Sequence, residues 1–132
     1  MKKIAVLMTV FNRKETTLRC LKSLQELYIP SGYTYEVFLT NDGCTDGTPE
    51  AIRANFPDVH IVNGDGTLFW NRGMLKAWQE AAKYDFDYYL WLNDDVFVYT
   101  NFFEVLLSSS NKLNHKSIIC GPVEDSNHTC MT

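Results

Sequence analysis

The chain has 132 residues, 45% of them hydrophobic, 14% aromatic and 21% charged, a mixture that suits one compact domain and excludes a disordered tail, a fibre or a repeat array. Twelve Lys and Arg against sixteen Asp and Glu leave a formal net charge of -4. That sign excludes a partner held through nucleic-acid phosphates, and an anionic ligand would need local cations or a metal.

Lys2 and Lys3 precede an apolar stretch over residues 4–11 that superficially copies a signal peptide. The stretch is short, has no small-residue cleavage site and is closed by Asn12-Arg13-Lys14, so residues 4–9 read as a buried first strand. Asn12 and Glu15 have capping-box spacing ahead of a helix carrying Leu18, Leu21, Leu24 and Tyr28, which Pro30-Ser31-Gly32 stops. Residues 35–40 form a second strand. The turn-rich NDGCTDG follows over residues 41–47, and Thr48-Pro49-Glu50 supplies an N-cap, a first-turn proline and an acidic first turn for a short helix. Residues 60–62 are a third strand and residues 63–66 a loop. Trp70, Met74, Ala77, Trp78 and Ala81 mark one face of a third helix, with both tryptophans expected in the core. Residues 88–92 are a fourth strand, 101–109 a fourth helix and 118–120 a fifth strand. No run reaches the ~20 apolar residues of a membrane span.

Strands alternating with helix-length connections imply right-handed crossovers and a mostly parallel sheet covered on both faces, a three-layer α/β/α architecture. No linker or repeat interrupts it, so residues 1–132 read as one domain. Ligands of such sheets bind at the carboxyl ends of the strands. The polar clusters fall there.

Asn93-Asp94-Asp95 places two adjacent carboxylates directly after an apolar strand. Magnesium or manganese takes one or two carboxylates plus substrate phosphates, although a turn or helix cap also uses these residue types. Asp42 ends the second strand, where its carboxylate can accept from a base or a ribose hydroxyl; the two Asp-Gly steps beside it are equally good turn chemistry. A calcium loop starting at Asp42 fails, because Cys44 and Arg53 stand where oxygen ligands belong. Thr9, Phe11, Asn12 and Arg13 offer a hydroxyl, an aromatic face, an amide and a cation at the first strand's exit, suited to a nucleotide or simply to a strand end. Gly64-Asp65-Gly66 leads into Trp70-Asn71-Arg72-Gly73 at a helix start, where N–H groups can meet an anion. Neither a P-loop nor a GxGxxG pattern is present, and Cys20, Cys44, Cys120 and Cys130 have no zinc spacing. They read as thiols of a reducing cytosol. His60, His115 and His128 lack partners at catalytic spacing.

Together, TVFNR, NDGCTDGT, GDGTLFWNRGM and LNDD, collinear and each near a strand exit, resemble the family 2 glycosyltransferases of the GT-A fold. The GDGTLFW loop is similar to the rhamnosyltransferase-like branch. The resemblance implies a nucleoside diphosphate sugar donor, magnesium or manganese, inverting transfer to a saccharide or lipid-linked acceptor hydroxyl, and cell-surface polysaccharide synthesis at the cytoplasmic face of a membrane. It also implies nucleotide-binding roles for Thr9, Phe11, Asn12, Arg13, Asp42, Asn71, Arg72, Asn93 and Asp94, and a metal role for Asp95. Two positions depart from the family pattern: Trp70 stands where many members have arginine, and Asn93 where an aspartate is common. Family members run well beyond 132 residues, so the chain reads as a donor-binding half cut before the acceptor half and its general base. A sugar-phosphate nucleotidyltransferase would need a glycine-rich loop after the first strand, and a phospho-accepting receiver an acidic pair there; neither is present. A non-catalytic nucleotide-binding module is the alternative function. Thr9, Asp42 and Asp95 are expected to converge, with both carboxylates on a solvent-facing edge.

Overall fold

The computed structural model describes residues 1–128 and the backbone of residues 130 and 131. The first strand, β1 (Lys2–Val10), lies inside a four-stranded sheet with β2 (Tyr33–Asn41), β3 (His60–Asn63) and β4 (Tyr88–Trp91), in the order β3-β2-β1-β4. All three pairings are parallel. An inner strand of a parallel sheet is covered on both faces, which is why residues 4–8 form an unbroken apolar run rather than an alternating one. Alternate side chains nevertheless serve different layers. Ile4, Val6, Met8 and Val10 pack with Leu21 and Leu24 of α1 (Lys14–Gln25), Ile52 of α2 (Thr48–Asn55), and Phe103 and Leu107 of α4 (Phe102–Lys112). Ala5, Leu7 and Phe38 instead meet Met74, Ala77 and Ala81 of α3 (Phe69–Ala81).

The chain steps outward from β1 to β2 to β3, then returns so that β4 pairs with the other side of β1. The winding direction therefore reverses between β1 and β4, which makes the carboxyl ends of those two strands the topological switch point where such sheets leave a crevice. On the α3 face the helix sits directly on that end of the sheet. A Cβ at Gly73 would come within 2.4 Å of Thr9 Cγ2, and the Thr40 hydroxyl donates to the Gly73 carbonyl at 2.7 Å. Only glycine permits this approach.

Five elements differ from the sequence expectation. Thr48 is the first residue of α2, and Gly47 stands at the cap position expected for it. Asn12 does not cap α1; its backbone is left-handed (φ 48°), which turns its side chain toward residue 45. Tyr28 lies beyond the end of α1 and is 58% exposed. Residues 118–120 form no strand, and Ile118 is 93% exposed; three apolar residues carry too little periodicity to define a strand. The next strands are instead a short antiparallel pair, β5 (Val123–Glu124) and β6 (Cys130–Met131). Finally, Trp70 and Trp78 are 49% and 39% exposed rather than core. They join Trp91 in an edge-to-face row, each neighbouring pair 5.6 Å apart. Among the described residues β4 has no strand on its outer side, so this row stays open to solvent. No helix among the described residues is long and apolar enough to cross a membrane.

Candidate nucleotide-binding site

A cleft of about 610 Å3 opens at the switch point. Residues 9–11 and Arg13 enter it from the end of β1, Asp42 and Gly66 from the neighbouring loops, Phe69 and Trp70 from the start of α3, and Asn93, Asp94 and Asp95 from the turn after β4. Thr9, Asp42 and Asp95 thus converge on one cavity, as strand-end placement requires. Asn12, Asn71 and Arg72 are not among its lining residues. The Asn12 carboxamide accepts from the Thr45 backbone N–H at 2.7 Å and donates to the Thr45 hydroxyl at 3.3 Å, tying the end of β1 to the turn after β2. Arg72 donates to the Thr67 carbonyl and so folds back over the loop. Asn71 is exposed on α3.

Asp42 is buried, at 3% exposure, and not on a solvent-facing edge. Its carboxylate accepts backbone N–H groups from Gly66 at 2.8 Å, Leu68 at 3.1 Å and Phe69 at 2.9 Å. These are the otherwise orphaned donors of the loop and first turn of α3, so a single anion both caps the helix and fixes the loop. Close packing supports this: a Cβ at Gly64 would meet Asp42 Oδ1 at 2.7 Å. Phe69 is held there in a left-handed backbone conformation (φ 55°) with its ring 76% exposed at the cleft. A non-glycine residue in that region is strained and persists only because the surroundings impose it.

Thr9 shows a different limit. Its hydroxyl is buried and, among the described residues, has no hydrogen-bond partner. The close approach of Gly73 covers it.

Asp46 escaped the sequence reading as a structural anchor. It accepts the Lys14 N–H at 3.1 Å and the Thr48 N–H at 3.1 Å, so it caps α1 and α2 together, and the Thr48 hydroxyl, followed by these N–H groups, holds its carboxyl below the ordinary value. The signal was its position two residues ahead of Thr48-Pro49. Trp70 was likewise missed. Its indole N–H donates to Asn93 Oδ1 at 2.9 Å, bridging α3 to the acidic turn.

The acidic turn itself carries two unlike carboxylates. The Asp94 side chain is 7% exposed and accepts the Thr17 hydroxyl at 3.1 Å. Asp95 is 47% exposed and faces Arg13 Nη1 at 3.1 Å, while the same nitrogen stands 3.6 Å from Asp94 Oδ1. Burial pushes the Asp94 carboxyl above its ordinary value of 3.8, against the opposing pull of Arg13 and the Thr17 hydroxyl. Between 3.8 and that higher folded-state value the native state binds more protons than the unfolded chain, so this group's contribution is fully present in acid and is lost as pH rises through the window. Asp94→Asn is therefore expected to remove part of the decline in stability above pH 3.8, read by urea denaturation at a series of pH values. A difference between the two proteins that stays constant with pH contradicts this assignment.

The acidic turn brings two carboxylates, Asp94 and Asp95, into the cleft, where Asp42 has both oxygens engaged by backbone donors. Among the described residues no group of three or more His, Cys, Asp or Glu gathers around a point. That donor set fits magnesium or manganese, which need only one or two carboxylates when water and substrate phosphates complete the shell, and it does not suit zinc. The Cys20 thiol donates to the Asn93 carbonyl at 3.6 Å, and burial pushes it up to about 12.

The model of the family described as glycosyl transferase family 2 matches residues 5–129. The chain belongs to that family. Its fold is shared with a structure of S. aureus TarS 1–349 in complex with UDP-GlcNAc, at a TM-score of 0.69 and 16% identity over 85% of this chain and 32% of that one. The S. aureus TarS structure not limited to residues 1–349 gives 0.66 and 15% over 86% of this chain and 20% of that one. The mannosyltransferase PcManGT from Pyrobaculum calidifontis, in complex with GDP-Man and Mn2+, gives 0.52 and 23% over 59% and 24%. The chain thus spans a third or less of these structures. No curated protein matches it. As a family 2 chain with a mostly parallel sheet and helices on both faces, it carries the GT-A architecture.

Proposed function

We propose that the chain is the donor-binding part of a family 2 glycosyltransferase, and that its cleft takes a nucleoside diphosphate sugar together with magnesium or manganese. The observation that carries this is the meeting of Arg13, Asp94 and Asp95, a cation and two carboxylates, in one cleft at the switch point. The ligands of the similar structures, UDP-GlcNAc with TarS and GDP-Man with Mn2+ in PcManGT, support the ligand class.

Asp95, the exposed carboxylate, is the metal ligand in this reading, and Asp94 orients the turn through Thr17. When bound, the cation neutralises charge developing on the leaving diphosphate. Arg13 is placed to meet the same phosphates. The exposed rings of Phe11 and Phe69 offer faces for the base or sugar. Asp42 acts through the loop it holds, because both of its oxygens are already engaged by backbone donors, and Trp70 fixes Asn93. Thr9 lines the cleft, and Asn12 and Arg72 tie down the neighbouring loops through Thr45 and Thr67. Inverting transfer also needs a base to take the acceptor hydroxyl's proton. None of the described residues is assigned as that base, so donor binding, not transfer, is the activity proposed for them. A rhamnose-type donor, a saccharide or lipid-linked acceptor, a cytoplasmic site at a membrane and a role in cell-surface polysaccharide synthesis belong to the same proposal.

Titration calorimetry with uridine or thymidine diphosphate tests it. Binding is expected in manganese and is expected to weaken at least about tenfold in chelator, since a net charge of -4 does not hold a diphosphate unaided. Equal affinity in both conditions contradicts the metal role, and no binding in either contradicts the donor site.

A further inference from the structure

We propose that Arg13 is a counter-ion gate: its guanidinium spans Asp94 and Asp95 where a divalent cation must approach, so cation and diphosphate bind cooperatively as the arginine passes from the carboxylates to the phosphates. This rests on the reading of Asp95 as the metal ligand.

The geometry is specific. One nitrogen, Nη1, lies 3.1 Å from Asp95 Oδ2 and 3.6 Å from Asp94 Oδ1, so a single positive centre already serves both carboxylates. A metal on Asp95 would bind its oxygen at about 2.0–2.2 Å, which sets a doubly charged ion against the guanidinium at close range. Coulomb repulsion at such separations, screened by solvent but not abolished, makes each contact weaken the other. Metal and arginine therefore compete for Asp95. The arginine can leave because its side chain is 54% exposed and sits on the residue just ahead of α1. It also needs a destination. Arg13 is the one cation among the cleft-lining residues, so the diphosphate that enters the cleft offers the replacement partner, in the bidentate geometry guanidinium favours. Thr17 keeps Asp94 in place during the exchange through its own hydroxyl, independent of Arg13.

Two ligands that each relieve a cost borne by the other are coupled, and the coupling is reciprocal. Metal alone must displace Arg13 with no compensation. Metal after diphosphate does not.

The test is the affinity for manganese alone, read as the loss of the free-ion electron spin resonance signal, with and without uridine diphosphate. Arg13→Gln removes the charge at a side chain that contributes little to the core, and its far-UV circular dichroism should match wild type. The variant is expected to bind manganese alone about five- to tenfold more tightly than wild type, and to gain less from added uridine diphosphate. Arg13→Lys, which keeps the charge, should bind manganese alone about as weakly as wild type. The difference between Arg13→Gln and wild type should shrink as salt is raised, because both side chains are partly exposed. An Arg13→Gln protein that binds manganese alone no more tightly than wild type overturns the gate, as does an Arg13→Lys protein that behaves like it. Failure of uridine diphosphate to bind any of the three proteins overturns instead the donor-site reading beneath it.

Discussion

Asp42→Ala is expected to lower the unfolding free energy by about 3 to 5 kcal/mol, the largest effect of any single change near the cleft. The reason is arithmetic on orphaned groups. Asp42 accepts from the N–H groups of Gly66, Leu68 and Phe69, and alanine leaves those three donors without their acceptor. Each unsatisfied donor costs about 1 to 3 kcal/mol when buried, less where water can reach it, as at the exposed Gly66 and Phe69. Asp42→Asn keeps the volume and one acceptor oxygen but turns an NH2 toward backbone donors, so roughly half the loss is expected. Both variants should also bind nucleoside diphosphate more weakly, because the loop carrying Phe69 no longer holds its strained conformation. Urea denaturation measures the first effect as a lower midpoint at unchanged slope. A loss below about 1 kcal/mol for Asp42→Ala would mean that the carboxylate is not the anchor of the loop.

Asp95→Asn has the opposite profile. The side chain is 47% exposed and its one ion pair, with Arg13, is screened by solvent, so stability should change by no more than about 0.5 kcal/mol. Manganese-dependent binding of uridine diphosphate should fall at least about tenfold, since an amide oxygen lacks the charge a hard cation requires. Binding in chelator should be unaffected. If Asp95→Asn keeps its manganese response, the metal is held elsewhere.

This contrast shows what the sequence made legible and what it hid. The strands near the centre were readable because a parallel sheet buries whole apolar runs: residues 4–9 and 35–40 fall inside β1 and β2. The meeting of Thr9, Asp42 and Asp95 was readable too, because all three sit at or just beyond the carboxyl ends of strands. Asp42's task was not. Its partners are backbone N–H groups 24 to 27 residues away, and a backbone donor leaves no mark in the amino-acid string. Arg13 and Asp95 are separated by 82 positions, so their pairing required the reversal between β1 and β4. The tryptophans misled for a related reason. Helical periodicity says that Trp70, Trp78 and Ala81 share a side of α3 but not that β4 is the outermost strand, which leaves that side open beyond Ala77. Residues 118–120 form no strand, because three apolar positions carry too little periodicity to define one.

The central claim, a nucleoside diphosphate bound with a cation at Asp95, is tested most directly by paramagnetic broadening of the three tryptophan indole N–H resonances. Trp70 donates to Asn93, two residues from Asp95, whereas Trp78 lies at the far end of the row beyond Trp91. With uridine diphosphate present, substoichiometric manganese should broaden the Trp70 resonance first and Trp78 least, and Asp95→Asn should abolish the selectivity. Uniform broadening of all three, or broadening that survives Asp95→Asn unchanged, would contradict the placement of metal and donor in this cleft.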